Sequence, residues 1–473
     1  MNILKKRIAA LIVFFLIFVF LFAGCDSEGD AEYYSVDFYL SGSQFRGSTV
    51  EVRKGYTIPM TNETIAAYAC GRGLYKGTTQ DISSFWRIFD GVKNDIIWDF
   101  GQPVTRDLIL MADLGNQPEK IIIAGRGKDF YDNAMSYIND PKNAGGYIMV
   151  LGEDAGVREN EGDGIKNREV NSVTFSSGVD LTIIGIGGER TIYTKGNGVF
   201  VLPGNAEAPI KLTLGNNITV RGNLTRSGDG MIKVGNALGG DMEILFTMLD
   251  GSKVTGYTNS FPSNGAGNAA IVVEGYADKR GNKITFHMKG GIVTGNENAW
   301  TGGTSGSGVT VRRGNILLEG NAVITGNTGF GGDIACGMNA GWPLPEDLFI
   351  EIKDNATIGE VFLFTNRGES YPMTNSNAPH IKIHGGWTGQ INKLNLGWTR
   401  DSSREHYMSY SILRNASASG IGNLAAQVGS IAAFIPKITL GDFFQWETGY
   451  RSEPNEIFDN YIIRADWGRL QAK

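Results

Sequence analysis

One short pattern returns along the middle of the chain and limits what it can fold into. Val293-Thr294-Gly295-Asn296 is followed by Ile324-Thr325-Gly326-Asn327, and related units end at Arg221-Gly222-Asn223, Val254-Thr255-Gly256, Ile358-Gly359 and Trp387-Thr388-Gly389. The glycines at these points stand 34, 39, 31, 33 and 30 residues apart. Each unit carries three short strand-like runs. In one they are Ile271–Glu274, Ile284–Met288 and Ile292–Thr294; in the next, Val309–Arg312, Ile316–Leu318 and Val323–Thr325. Three short strands joined by Gly/Asn corners describe a three-sided coil, and stacked coils bury a continuous apolar interior. Corners of this kind need backbone conformations that glycine and asparagine tolerate best. The count of 66 glycines in 473 residues, about twice the usual share, follows from that. An antiparallel sandwich would instead show two-residue hairpins between alternating runs. Asn223, Asn296 and Asn327 are expected to stack as an amide ladder inside one corner.

The start of the chain reads as an address. Lys5, Lys6 and Arg7 precede an unbroken apolar run from Ile8 to Phe22, which ends in Ala23-Gly24-Cys25. The run has the length of an export signal and is short for a membrane span. Small residues before a cysteine resemble a bacterial lipobox, with Phe22 where leucine is usual. The resemblance implies a signal peptide over 1–24 and acylation of Cys25, which would become the new N-terminus. Residues 25–31, including Asp26-Ser27-Glu28-Gly29-Asp30, form a polar tether. The expected location is therefore the bacterial cell surface or outer membrane, with the chain held to the membrane through Cys25. Formal charge is −6, and loss of the first 24 residues would make it −9. An acidic body with no basic block excludes nucleic acid as a natural partner.

Residues 32–115 alternate strands and turns. Val52-Arg53-Lys54-Gly55-Tyr56-Thr57-Ile58-Pro59, followed by Trp98-Asp99-Phe100, Pro103-Val104-Thr105, Asp107, Leu110 and Ala112, resembles the internalin B-repeat, also called the Listeria–Bacteroides repeat. The resemblance implies a small β-grasp-like spacer or interaction module. Trp86, Trp98 and Phe100 are its expected core.

The coil pattern of residues 118–396 resembles right-handed parallel β-helix proteins of the pectate-lyase-like class. The expected fold is thus all-β: a right-handed parallel β-helix solenoid preceded by a small β-grasp-like domain. Over Asp129–Asn139, Phe130, Ala134, Tyr137 and Ile138 recur at helical spacing. A helix there, followed by strand Tyr147–Leu151, would cap the first coil. Residues 397–473 lose the repeat and are expected to form a C-terminal cap, with Tyr461–Ala465 and the Phe443, Phe444, Trp446 cluster as further strands.

Enzymes of the β-helix class bring several acids together on one face, because one carboxylate cannot serve as both acid and base. Equivalent middle-strand positions give one outward row: Thr182, Thr213, His287, Leu317, Glu351 and Lys382. It holds no paired carboxylates, and two coils separate His287 from Glu351, about 10 Å. Glu274 and Arg312 fall on adjacent coils as a surface ion pair of little energetic weight. Glu153, Asp154, Glu159, Glu161 and Asp163 form an acidic loop without calcium-loop spacing. His380 and His384 share a strand face but lie over about 12 Å apart along it, too far for one metal ion. Cys70 and Cys336 have no partners at metal-ligand spacing, and Cys336 reads as a buried thiol on the same strand face as Ile334. No metal site, cofactor fingerprint or nucleophile motif stands in a fitting context. Trp300 and Trp342, in inserts between coils, are weak candidates for stacking on a sugar. The expectation is a non-enzymatic adhesion or surface-interaction protein that binds a glycan or a protein partner. A polysaccharide lyase or glycoside hydrolase is the alternative.

Overall fold

The computed structural model describes residues 32–40, 46–58, 75–79, 86–88, 96–98, 102–112, 117–125, 127–156, 169–185, 189–194, 199–215, 217–222, 224–225, 230–235, 242–259, 269–275, 284–298, 306–329, 331–338, 348–365, 379–399, 413–415, 435, 438–443, 456–457, 461–463 and 470–472. The signal, the tether, Cys25 and Cys70 lie outside them.

The chain is an all-β parallel β-helix. Its long face is an 11-stranded sheet whose spatial order is its chain order. The strands Gly146–Leu151, Asp180–Gly185, Ile210–Leu214, Ile244–Met248, Ile284–Met288, Asn315–Leu318, Phe349–Ile352 and His380–Ile383 stack in parallel, one per coil. Period two explains the burial. Ile284, Phe286 and Met288 point inward, whereas Thr285 and His287 remain partly exposed. A second face stacks Arg190–Tyr193, Ile218–Arg221, Lys253–Thr255, Ile292–Thr294 and Val323–Ile324. A third stacks Val173–Thr174, Phe200–Leu202, Ile232–Val234, Ile271–Glu274, Val309–Arg313 and Ile334–Met338. The runs read from the repeat are the observed strands to within a residue or so. One apolar core runs the length of the coil from Ile123 to Ile435. Phe246 and Phe286 stack inside it on adjacent coils, with ring centroids 5.0 Å apart and planes 13° from parallel.

The coil is not simply three-sided. Between the second and third faces, Leu224–Thr225, Thr258–Asn259, Glu297–Asn298 and Thr328–Gly329 form a short fourth ladder. The expected asparagine ladder stands at its entrance. Asn296 Nδ2 donates to Asn327 Oδ1 at 2.7 Å, and Tyr257 N donates to Asn296 Oδ1 at 3.1 Å. Asn223 lies outside the described residues. A second pair follows two positions on, where Asn259 Nδ2 donates to Asn298 Oδ1 at 3.2 Å. Gly295 and Gly326 turn the chain into this corner at φ +64° and +71°, a region that an L side chain strains to enter.

The corner then closes up. The link between the second and third faces spans Gly295 to Gly308, shortens to Thr325 to Asp333, and vanishes in the unbroken strand Thr357–Thr365. That strand pairs through Ile358 with the second face and through Val361–Thr365 with the third. Glu360 stands where the next ladder asparagine would be. Asp333 takes over as the acceptor: Oδ1 accepts Asn327 N at 2.8 Å and Asn327 Nδ2 at 2.7 Å, and Oδ2 accepts Glu360 N at 2.8 Å.

The first coil is capped as the pattern implied. Helix α1, Gly127–Ile138, buries Tyr131, Ala134, Met135 and Ile138. The buried stripe is shifted from the expected one. Phe130 and Tyr137 are half-buried at its edge, and Tyr131 and Met135 fill its centre. Parallel stacking continues beyond residue 396. Ile391–Thr399 pairs with Thr357–Thr365, and Ile438–Phe443 with Ile391–Thr399. The antiparallel strand Glu456–Ile457 then ends the series, followed by hairpin Tyr461–Ile463 and Leu470–Ala472. Phe444 and Trp446 lie outside the described residues.

At the other end, Tyr33–Leu40 pairs in parallel with Leu108–Ala112 and antiparallel with Arg46–Arg53, in a mixed five-stranded sheet. Among the described residues its buried side chains are Val36, Val52, Ile58, Val104, Leu108 and Leu110. Of the expected aromatic core, Trp98 is half-buried, and the Trp86 side chain and Phe100 lie outside the described residues. Tyr75–Thr79, from the segment expected to be separate, pairs antiparallel with Gln117–Gly125 and edges the long face of the solenoid.

Candidate functional site

The long face displays the chemistry. Register places Thr182, Thr213, Thr247, His287, Leu317, Glu351 and Lys382 in one row across successive coils. This is the row read from the sequence, completed by Thr247. As expected, His287 and Glu351 are two coils apart with Leu317 between them.

Each finds a different partner, diagonally, on the next coil. His287 Nε2 lies 3.0 Å from Glu319 Oε1, and His384 Nε2 lies 2.5 Å from Glu351 Oε1. Lys353 Nζ closes on the other oxygen of Glu319. Glu319, Lys353 and His384 are equivalent residues, each the first past its strand. Their N–H groups donate to Met288, Leu318 and Ile352 of the preceding coil. Reading the mid-strand row alone missed this second row. The signal was available, since Lys289, Glu319, Lys353 and His384 each follow the last inward residue of a strand.

The network sets the charges. Burial pushes His287 below the usual imidazole value, helped by Lys289 and Lys353 and opposed by Glu319. Burial would raise Glu319, but hydrogen bonds and charge from Lys353 and His287 outweigh it and hold its carboxyl below the usual range. Lys353 is raised, first by its hydrogen bond to Glu319. At neutral pH the strip therefore presents a neutral imidazole beside an ionised, lysine-bound carboxylate. A glycosidic general acid requires the opposite, a carboxyl kept protonated by a raised pKa. The arrangement suits hydrogen bonding and ion pairing with a ligand laid across the coils.

A second cluster lies alongside. Lys382 Nζ sits 3.3 Å from the centroid of Phe349, whose ring is 5.9 Å from that of His380. His380 and His384 were expected to share a strand face. His380 is fully buried, and His384 lies past the strand end against Glu351.

Other candidates resolve as structure. In the register Glu274 stands opposite Arg313, because it shifts after Val273, and Arg312 is half-buried within reach of the Glu274 charge. Burial lowers the Arg312 guanidinium, with Glu274 partly offsetting it. Asp154 accepts a hydrogen bond from Thr191 N at 2.9 Å; Glu159, Glu161 and Asp163 lie outside the described residues. Cys336 is a buried free thiol in the core beside Ile334, pushed well above the usual thiol value by burial. Trp300 and Trp342, the candidate sugar-stacking residues, lie outside the described residues, as does Cys25. Among the described residues no three His, Cys, Asp or Glu side chains converge as metal ligands.

No family model matches the chain, and no curated protein and no solved structure matches it.

Proposed function

We propose that the chain is an exported bacterial surface lipoprotein, acylated at Cys25, that binds a glycan or protein partner and does not cleave it. On this reading, residues 32–115 are an internalin B-repeat-like spacer, and the solenoid is a right-handed helix of the pectate-lyase-like class. The observation that carries the binding reading is the strip His287–Glu319–Lys353 with Glu351–His384. Four adjacent coils there offer ordered donors and acceptors, and Glu319 is held in its ionised form. Coils about 4.8 Å apart turn such a strip into a regular array that an extended chain can follow.

The test uses the mature chain on a panel of neutral and acidic polysaccharides, with and without Ca²⁺. Retention without new reducing ends or unsaturated-sugar absorbance is expected, and it should fall for His287→Ala with Glu319→Gln. Product formation would replace this reading with that of a lyase or hydrolase. Neither retention nor products would leave a protein partner as the ligand class. Palmitate labelling of wild type against Cys25→Ala tests the anchor separately.

A further inference from the structure

The first sheet has an unusual end. Tyr33 is 56% exposed and Tyr56 is 59% exposed. Tyr33 stands opposite Arg53 in the register of the first two strands, and the Arg53 guanidinium lies 5.5 Å from the centre of the Tyr56 ring. Lys54 N donates to Glu32 O at 2.8 Å, so the turn that carries Tyr56 is knitted to the point where the chain enters the sheet. Single exposed apolar residues need no explanation. Two tyrosines, both more than half exposed, one opposite Arg53 in the register and one with its ring beside the Arg53 guanidinium, form a patch.

The length of chain before this patch says what faces it. Cys25 precedes Glu32 by seven residues, a reach of at most about 25 Å when fully extended. If Cys25 is acylated, the Tyr33–Tyr56 end is the part of the sheet tied nearest the membrane. Tyrosine has an apolar ring and a polar tip, the combination that favours the headgroup region of a bilayer. We propose that this end of the sheet rests on the phospholipid surface, with Tyr33 and Tyr56 seated among the headgroups. The proposal rests on the lipid-anchor reading above.

The charges around the patch define the mode of contact. Lys54 Nζ pairs with Glu32 at 2.5 Å, and Glu51 flanks Arg53 two residues away on the same strand face. The cations are thus locally balanced. Contact comes from the aromatic rings rather than from attraction to anionic lipid, and salt has little effect on it.

The experiment uses the full-length lipoprotein reconstituted in phosphatidylcholine vesicles. An environment-sensitive fluorophore is placed at Thr57→Cys, beside the patch, or at Asn321→Cys, an exposed corner of the solenoid, each in a Cys70→Ser background. A quencher attached to the lipid headgroup should quench the probe at 57 several-fold more than the probe at 321, equally at low and high salt. Adding Tyr33→Ser and Tyr56→Ser should abolish the difference while the protein still floats with the vesicles. Equal quenching at 57 and 321 in floated protein overturns the proposal and leaves the anchor intact. If wild type fails to float, the anchor reading falls and this proposal falls with it.

Discussion

Asp333→Asn tests the account of how the solenoid loses a corner. Asp333 is buried, and three N–H groups point at its carboxylate: two from Asn327, at 2.8 and 2.7 Å, and one from Glu360, at 2.8 Å. An asparagine has only one oxygen. Turned toward Asn327, it keeps two bonds and sets its NH₂ against the Glu360 N–H; turned the other way, it loses both bonds to Asn327. The milder choice leaves one donor unpaired, a cost of about 1–3 kcal/mol. Part of this is recovered because no charge is then buried. A net loss of about 1–2 kcal/mol corresponds to roughly 5- to 30-fold faster local exchange. Hydrogen–deuterium exchange of peptides covering 325–334 and 357–362 reads it directly, without requiring the solenoid to unfold in one step. The pH dependence gives a second readout. Burial raises the Asp333 carboxyl above its usual value, and the hydrogen bonds from Asn327 and Glu360 only partly oppose it. The folded state therefore holds this proton more tightly than the unfolded chain. Its contribution is complete below about pH 4 and declines as pH rises through the higher folded value. Asp333→Asn should remove that slope. Exchange indistinguishable from wild type in both peptides, or an unchanged slope, would refute the reasoning.

Three further outcomes are expected. Phe246→Ala and Phe286→Ala should each cost about 3–5 kcal/mol in urea unfolding, and their double-mutant cycle should show a coupling of about 0.5–1.5 kcal/mol; strict additivity would mean the stacked rings act independently. Cys336 should resist alkylation in the native protein at mildly alkaline pH and react once unfolded, because burial raises its pKa and blocks access. Glu319→Gln should lower the His287 pKa further, since Glu319 is what opposes the effects of burial and of the two lysines; an imidazole NMR titration that shifts upward instead would contradict the charge assignment of the strip.

Much of this molecule is written locally. A run such as Ile284–Met288 alternates inward and outward residues, and Gly295-Asn296 supplies the corner, so each coil carries its own instructions. Parallel stacking then follows, because each coil can bury its inner side chains only against the next. The row through His287, Glu351 and Lys382 was legible for the same reason: equivalent residues in a stacked repeat must become neighbours. What the sequence did not disclose lies between rows and between coils. Glu319 reaches His287 diagonally, from just beyond the end of a strand, a meeting set by how far each coil is offset from the last. His380 is buried, which its spacing from His384 did not reveal. Asp333 looks like a turn residue until the shortened link brings Asn327 and Glu360 onto its two oxygens. The repeat by itself determined the coil and its core, because apolar burial depends on period alone. Which polar groups met was decided only in the tertiary structure, because a hydrogen bond or ion pair depends on a few tenths of an ångström between residues some thirty positions apart.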